Sequence, residues 1–301
     1  MSHKQIQPTP LDGIMYFTPP DDYLLSGRDG LVAVQWEGRP PIPLLEEDYA
    51  SLEAGAVPDY DMVGRGMYQA LRLNPDCAGA AAYAAVMKDA YPHIVSELGG
   101  QIIMLEAKEV DAPYLDRKIN FLKIMALLDP DNAALPLEIA RAYVDKGSRL
   151  SSMQFAVTCW YAAEKQLKRA LSLKSGDVHA SYEYGEALYM LGRYEQAAEI
   201  WNSLITLLEP GERARVEARV SGIVAGRIPM VPPLDYLTAL SVAVERHHSG
   251  SSDEAAEIIN DVLADPIFAE QFPMNEVYYL LGTCYQESGR MAEAAEAFKR
   301  S

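Results

Sequence analysis

The sequence predicts an all-α protein, a solenoid of antiparallel helix pairs that follows an irregular N-terminal arm. A helix–turn–helix pattern over residues 178–210 recurs along the chain. Each helix of the pattern has one apolar face and is too short to be stable alone in water, so the pairs must stack on one another. Residues 1–44 differ from the rest because they are rich in proline, glycine and aspartate.

The stretch 178–210 is the clearest helix pair. Gly185 lies inside its first helix, where glycine costs about 1 kcal/mol relative to alanine. We therefore expect this glycine to allow close approach by another backbone segment. Gly192 suits the left-handed position that ends a helix, and Pro210 stops the second helix. The apolar positions at helical spacing are Tyr184, Leu188 and Leu191, then Ala197, Ala198, Trp201, Leu204 and Ile205.

The same pattern predicts three further pairs. In the last of them, Gly282 and Gly289 take the places of Gly185 and Gly192. The other two repeat the pattern more loosely. The three pairs are residues 133–174, 236–266 and 275–301.

The last pair resembles the tetratricopeptide repeat, a helix–turn–helix unit of about 34 residues with small and aromatic residues at set offsets. The matching residues are Tyr278, Leu281, Gly282, Tyr285, Ala294 and Phe298. On this basis the chain is identified as a member of that family with diverged repeats. The resemblance is strong over 133–301, weak over 45–130 and absent before that. It implies a right-handed superhelix, and an ordinary helical bundle is the alternative.

The predicted organisation has three parts: an arm over 1–44, degenerate helical repeats over 45–132 and repeats over 133–301. In the arm, residues 31–36 alternate weakly and Asp29-Gly30 is a turn signal, so a short β-hairpin and an extended arm packed on the helices both remain open. Gly64 and Gly66 do not form a phosphate loop, because no P-loop spacing and no lysine accompany them. Helical packing explains them better.

Two insertions interrupt the repeats. In the 133–174 pair the second row of alanines comes eleven residues late, which keeps the apolar face in phase. We therefore predict one long helix from Ser152 to Leu173, capped by Ser151 or Ser152 and projecting beyond its neighbours. After Pro210, the charged segment 211–227 predicts an inserted amphipathic helix.

Composition excludes several classes of function. The chain of 301 residues has a formal charge of −17 and a pI near 4.7. This acidity argues against binding nucleic acid or anionic lipid, and favours a basic or neutral partner. No apolar run approaches the ~18 residues of a membrane span, and no secretory signal is recognisable. The three cysteines are far apart and form no CxxC pair. We expect a cytoplasmic protein with no membrane association.

No residue pattern points to catalysis. His247 and His248 are adjacent rather than four residues apart, so they cannot share one helix face as zinc ligands do. A surface pair is the favoured interpretation and a metal site the minor alternative. Nucleotide loops, a nucleophile elbow and an EF-hand loop are absent from the sequence. We expect no enzyme activity, no cofactor and no metal.

The family resemblance implies a concave groove for a peptide or a partner helix. Carried over position by position, it places the following residues on that groove: Glu138, Arg141, His179, Tyr182, Glu183, Glu186, Tyr189, Leu240, Val244, His247, His248, Glu276 and Tyr279, with Leu137 and Thr283. Tyrosines are frequent interface anchors, and Glu183 and Glu186 suit a lysine or arginine of the partner. Alternatively, Tyr182 and Tyr189 fill contacts between repeats. Family members that hold acidic chaperone tails use a basic clamp, and only Arg141 has that charge here.

The sequence therefore predicts a non-enzymatic scaffold or adaptor that binds a basic or amphipathic segment in an acidic, tyrosine-bearing groove. One alternative is a structural protein that self-assembles through its last repeat, which has no capping helix in this sequence, and through its N-terminal arm. Another is the repeat region of a longer protein whose catalytic domain lies beyond that residue.

Overall fold

The computed structural model describes residues 7–20, 22–27, 32–36, 39–106, 112–272 and 274–301. The chain divides into two compact units, Met1–Leu135 and Pro136–Ser301. The repeats with the stronger family resemblance lie in the second unit.

The N-terminal arm forms short antiparallel strands. Strand β1 (Ile14–Phe17) pairs with β4 (Ile42–Leu45), and β2 (Leu24–Ser26) pairs with β3 (Val32–Gln35). The β2–β3 pair confirms the hairpin alternative, whereas the sequence did not indicate the β1–β4 pair. The predicted turn at Asp29-Gly30 lies outside the described residues.

The strands share one core with the helices of the first unit. Leu25, Trp36 and Ile42 are buried in the same cluster as Met67 and Tyr83. The arm is therefore packed on the helices. These helices are α1 (Glu46–Ser51), α2 (Tyr60–Leu73), α3 (Ala80–Ala90), α4 (Ile94–Glu106) and α5 (Ala112–Leu128).

Two glycines let α2 pack closely on its neighbours. A Cβ atom built on Gly66 would lie 1.9 Å from the carbonyl oxygen of Pro43 in β4. A Cβ atom built on Gly64 would lie 2.5 Å from the ring of Tyr91. Both positions favour glycine for packing reasons.

The second unit contains the predicted helix pairs. The pairs are α6 (Ala134–Ser148) with α7 (Ala156–Leu173), α8 (Val178–Met190) with α9 (Tyr194–Leu204), α11 (Pro233–His248) with α12 (Ser252–Leu263), and α14 (Asn275–Glu287) with α15 (Met291–Arg300). The inserted helix α10 (Pro210–Val224) and a short helix α13 (Pro266–Gln271) lie between pairs. The prediction of an all-α repeat fold is confirmed, with the small strand pairs confined to the first unit.

The glycine pattern has a direct structural cause. Gly192 has φ +73°, and the N–H of Arg193 behind it donates to the Leu188 carbonyl at 2.8 Å, which closes the end of α8. Inside α8, a Cβ atom built on Gly185 would lie 2.2 Å from Nε1 of Trp201. An aromatic ring occupies this space, whereas we had expected a backbone segment. The same relation joins Gly282 to Phe298 in the last pair, at 2.5 Å.

The predicted long helix from Ser152 is wrong at its N-terminus. Residues Leu150–Phe155 form a 3₁₀ helix, here called the 3₁₀ segment, and α7 begins at Ala156. Ser152 is buried, and its hydroxyl donates to the Lys146 carbonyl at 2.6 Å, so it satisfies the end of α6 and does not cap α7. Ala156 and Cys159 are buried, so this end of α7 does not project into solvent.

The 3₁₀ segment also connects distant repeats. It packs against α11, which in turn contacts α7 and α8. The inserted helix α10 packs on α9. The first helix of the third pair therefore rests partly on the insertion within the first pair.

None of the helices in the described part of the chain is both long enough and apolar enough to cross a membrane.

Candidate functional site

The second unit has a cleft of about 540 Å³, here called the methionine cleft. Its walls come from the 3₁₀ segment, α7, α8, α11 and the start of α14, with Ser148 of α6, Arg219 of α10 and Gln271 of α13. The residues that give it its apolar character are Met153, Trp160, Met190, Leu240, Phe272 and Met274. Thioether side chains are flexible and polarisable, so they adapt to apolar groups of different shapes. The volume is typical of sites that hold a small molecule or a peptide side chain.

Buried polar atoms lie among these apolar walls. Arg219 from α10 donates a hydrogen bond to one carboxylate oxygen, Oε2, of Glu186. The other oxygen, Oε1, and Nε1 of Trp160 are buried and have no hydrogen-bond partner among the described residues. A buried polar atom without a partner costs about 1–3 kcal/mol. Two residues that line the cleft therefore carry one acceptor and one donor that are unpaired and covered by neighbouring atoms.

A second cleft of about 450 Å³ lies between α10 and α13 and is here called the arginine cleft. Arg215, Arg219 and Arg227 line it together with one carboxylate, that of Glu270. Arg219 and Gln271 line both clefts, which are therefore neighbours.

The acidic residues predicted to meet a cationic partner are already paired within the chain. Glu183 Oε1 accepts from Nε of Arg141 at 2.8 Å, and Arg141 also donates to Glu138 at 2.8 Å. Glu186 is paired with Arg219, whose side chain is only 9% exposed. Arginines of the chain itself therefore neutralise both Glu183 and Glu186, and the acidic groove stays a prediction.

Two further predicted groove residues belong to the core. Tyr189 is 1% exposed, and its hydroxyl donates to Oε1 of Gln271 at 2.6 Å. The Arg219 guanidinium lies 4.7 Å from the centroid of its ring. Leu240 is also 1% exposed, although it lines the methionine cleft. The alternative that Tyr189 fills a contact between elements is the correct one.

Tyr182 is half-buried beside α10. The guanidinium of Arg215 lies 5.7 Å from the centroid of its ring. Burial, and then the nearby Glu186 carboxylate, raise the pKa of Tyr182 well above its usual value. The phenol is therefore neutral and acts as a contact surface for the arginine.

His247 lies beside a buried cysteine. Its Nδ1 is 3.2 Å from Oε2 of Glu287 and 3.8 Å from Sγ of Cys284. Burial raises the pKa of the Cys284 thiol to about 11, so the thiol is protonated near neutral pH and is not an activated nucleophile. In the described part of the chain, no group of three or more His, Cys, Asp or Glu side chains is placed to hold a metal ion.

The structure brings only part of the predicted set together. Glu186, Leu240 and Glu276 line the methionine cleft. Tyr279 is 63% exposed, His179 and His248 are exposed, and Val244 is half-buried. The predicted residues outside the lining of this cleft are Glu138, Arg141, His179, Tyr182, Glu183, Tyr189, Val244, His247, His248 and Tyr279.

Sequence reasoning missed the residues that define both clefts. Met153, Met190 and Met274 share no period or motif, so no sequence signal could have grouped them. Arg215 and Arg219 do carry a signal: they are four residues apart on one helix and therefore share a face. We had interpreted the charges of that helix only as a sign of an inserted amphipathic helix.

Comparison with known families identifies the repeats. The tetratricopeptide repeat model matches residues 160–208 and 247–301. These two ranges of the chain carry tetratricopeptide repeats (TPRs). The matched ranges contain Trp160, Glu186 and Met190 but exclude all of α10, so the three arginines lie outside the recognised repeats.

Among solved structures, this chain is similar to one described as the crystal structure of MamA protein, with 17% identity and a TM-score of 0.30. The match covers 69% of this chain and 90% of that chain. No curated protein matches.

Proposed function

We propose that this TPR protein is a non-enzymatic interaction scaffold that binds an amphipathic segment of a partner protein in the methionine cleft. One observation carries the proposal: an apolar cleft of about 540 Å³ holds a buried donor and a buried acceptor with no partner in the described chain. TPR proteins in general bind other proteins, which is consistent with this role.

The chemistry of the cleft favours an apolar anchor. A side chain of the partner that enters between Met153, Met190 and Met274 loses its contact with water and gains about 25 cal/mol for each Å² of apolar surface buried. Nε1 of Trp160 and Oε1 of Glu186 are covered in the free protein, so neighbouring side chains must shift before a ligand reaches either atom.

The ion pairs favour an amphipathic partner over a strongly basic one. A lysine or arginine of the partner would have to compete with Arg141 for Glu183 and with Arg219 for Glu186. Competition for Glu186 is the costlier of the two, because Arg219 is largely buried and would be left without its partner. The three cysteines are free and buried, which supports a reducing, cytoplasmic location.

The proposal is tested with Leu150→Lys. Leu150 is half-buried and lines the methionine cleft. Peptides of about twelve residues are selected on the wild-type protein from a random display library, and their dissociation constants are measured by fluorescence polarisation. We expect Leu150→Lys to weaken binding by about tenfold or more, because the lysine places a charge where an apolar group binds.

The matched control is Leu207→Lys. Leu207 also lies in a 3₁₀ helix, is 64% exposed and does not line the cleft. It receives the same charge and should bind the selected peptides as the wild type does. Equal binding by Leu150→Lys and Leu207→Lys, with both variants folded by circular dichroism, would contradict binding in the methionine cleft.

Self-assembly is the second candidate, and an exposed aromatic surface on the last pair favours it. Tyr279 and Met291 are 63% and 62% exposed, and the Tyr279 ring centroid lies 5.6 Å from that of Phe298. Sedimentation equilibrium tests this candidate. A mass that rises with concentration, and that falls back in Tyr279→Ser, would support it, and a monomer at every concentration would exclude it.

A further inference from the structure

We infer that the arginine cleft between α10 and α13 binds carboxylates of an acidic segment of a partner protein. The net charge of the chain suggests a cationic ligand, whereas this cleft is lined by cations and suits an anionic one. The inference rests on the geometry and charge of this cleft. It uses the proposed function only to explain how one segment can fill both neighbouring clefts.

The first support is the shape of α10. Arg215, Ala218, Arg219 and Gly222 follow one another at helical spacing and form the face that lines the cleft. Ala218 and Gly222 are small, so they leave room between the two arginine side chains. The opposite wall is α13, with Ile267, Glu270 and Gln271 at the same spacing.

A left-handed turn adds the third arginine to this cleft. Gly226 has φ +68°, and the N–H of Arg227 donates to the Gly222 carbonyl at 2.8 Å. The chain therefore reverses at the end of α10 and places Arg227 beside the Gly222 turn of the helix.

Charge is the second support. The chain has a formal charge of −17, yet three arginines and a single glutamate line this cleft. Arg215 and Arg227 are exposed, and neither forms a salt bridge within the described part of the chain. The guanidinium of Arg215 is held over the Tyr182 ring, which directs it without neutralising it.

Arg219 supplies the third support because it is already ordered. Its side chain is 9% exposed, its guanidinium lies over Tyr189, and its bond to Glu186 uses one of the five N–H donors of the guanidinium. A ligand that meets an ordered side chain loses little conformational entropy on binding. Arginine forks bind carboxylates through two parallel hydrogen bonds, which makes a carboxylate the matching ligand group.

The position of the cleft points to a protein segment as the source of that carboxylate. Arg219 and Gln271 form a shared wall with the methionine cleft. A segment with an apolar side chain in one cleft can therefore place an acidic side chain, or its own C-terminal carboxylate, in the other.

The salt dependence of binding follows from these charges. Added salt screens the attraction between the arginines and the ligand, but it also screens the repulsion between the ligand and the rest of the acidic protein. We expect the affinity for an acidic segment to change little with salt. A basic partner would lose affinity steeply as salt is added, because salt screens its electrostatic attraction to the acidic protein.

The test compares two variants that lose the same charge. Arg215→Gln/Arg227→Gln removes two exposed arginines from the arginine cleft. Lys165→Gln/Arg169→Gln removes two exposed cations from α7, outside the cleft. Peptides selected on the wild type should be rich in Asp and Glu. We expect the first variant to bind them about tenfold or more weakly, and the second to bind them as the wild type does. Synthetic peptides with free and amidated C-termini separate a terminal carboxylate from a side-chain one.

Several outcomes would overturn the inference, and they differ from those that test the proposed function. Selected peptides rich in Lys or Arg, or equal binding by both double variants, would exclude a carboxylate site. If Leu150→Lys alone abolished binding, the methionine cleft would hold the ligand without help from the arginines. If Arg215→Gln/Arg227→Gln abolished binding and Leu150→Lys did not, the proposed function would fail and the inference would stand.

A direct probe covers the case in which the library yields no binder. Succinate is added to the protein while the arginine Nε–H signals are followed by nuclear magnetic resonance. A saturable shift of the Arg215, Arg219 and Arg227 signals in the wild type, with the Arg219 signal no longer shifting in Arg215→Gln/Arg227→Gln, would support the site. Absence of a saturable shift would overturn the inference.

Discussion

Replacing Gly66 with alanine is expected to destabilise the first unit by about 3 kcal/mol, near the upper end of what overpacking costs. The added Cβ atom would lie 1.9 Å from the Pro43 carbonyl oxygen and 2.7 Å from the Leu44 Cα atom. Both atoms belong to the backbone of β4, which is paired to β1 and cannot turn aside as a side chain would. Alanine gains about 1 kcal/mol of helix propensity over glycine, and this gain does not offset the clash.

Helix α4 offers the matched control for this substitution. Gly99 also lies inside a helix, but a Cβ atom built on it meets nothing within 4 Å. Gly99→Ala should therefore leave stability unchanged or raise it by up to about 1 kcal/mol. Urea unfolding followed by hydrogen exchange in peptides from α2 and β4 measures both variants. Equal stability of Gly66→Ala and Gly99→Ala would show that α2 does not pack on β4 as described.

Replacing Asp265 with alanine should be comparably damaging to the second unit, with an expected loss of about 3 kcal/mol. Asp265 is 1% exposed and accepts hydrogen bonds from the Met230 N–H at 2.7 Å and from the Tyr236 hydroxyl at 2.8 Å. It also caps α13 by accepting from the N–H groups of Ile267 and Phe268. Alanine would leave these four donors without this partner. Two of them, the Tyr236 hydroxyl and the Phe268 N–H, belong to buried residues. Differential scanning calorimetry measures the loss.

The Asp265 carboxylate also predicts a pH dependence. Burial alone would raise its pKa, but the hydrogen bonds from Met230, Tyr236, Phe268 and Ile267 outweigh it, so that the pKa lies below the ordinary value. A carboxyl whose pKa is lower when folded contributes stability above its unfolded pKa, about 3.9, and loses that contribution as the pH falls through the folded value. We expect the urea midpoint of the second unit to fall more steeply below about pH 4 in the wild type than in Asp265→Asn. Asp261→Asn, an exposed change on α12, should follow the wild type. Identical pH profiles for wild type and Asp265→Asn would contradict the predicted contribution.

The helix pairs could be predicted because their causes are local. Backbone hydrogen bonds between residues only a few positions apart end α8 at Gly192. Gly185 makes room for the ring of Trp201, which lies sixteen residues further along the chain. The phase of the apolar residues predicted the wrong first residue for α7. A 3₁₀ segment followed by an α-helix keeps those residues on one face as well as one continuous helix does. The β1–β4 pair joins segments separated by about 25 residues that carry no pairing signal.

The clefts could not be predicted because they depend on distant pairings. The Glu183 and Glu186 positions were placed on a groove surface by their helix, but their charge is set by Arg141 and Arg219, 42 and 33 residues away. A sequence shows which residues share one helix face. It does not show which arginine from another helix will reach that face.

The contact between the 3₁₀ segment and α11 determines how the second unit should come apart. In a simple repeat array each repeat touches only its neighbours, so the ends can fray and units can be added or removed one by one. Here an insertion in the first pair supports the third pair directly. The four pairs should therefore unfold as one cooperative unit. Deleting or duplicating a single pair would disrupt the contact between the first and third pairs. The number of repeats in this unit is therefore fixed, whereas a simple array can gain or lose them one at a time.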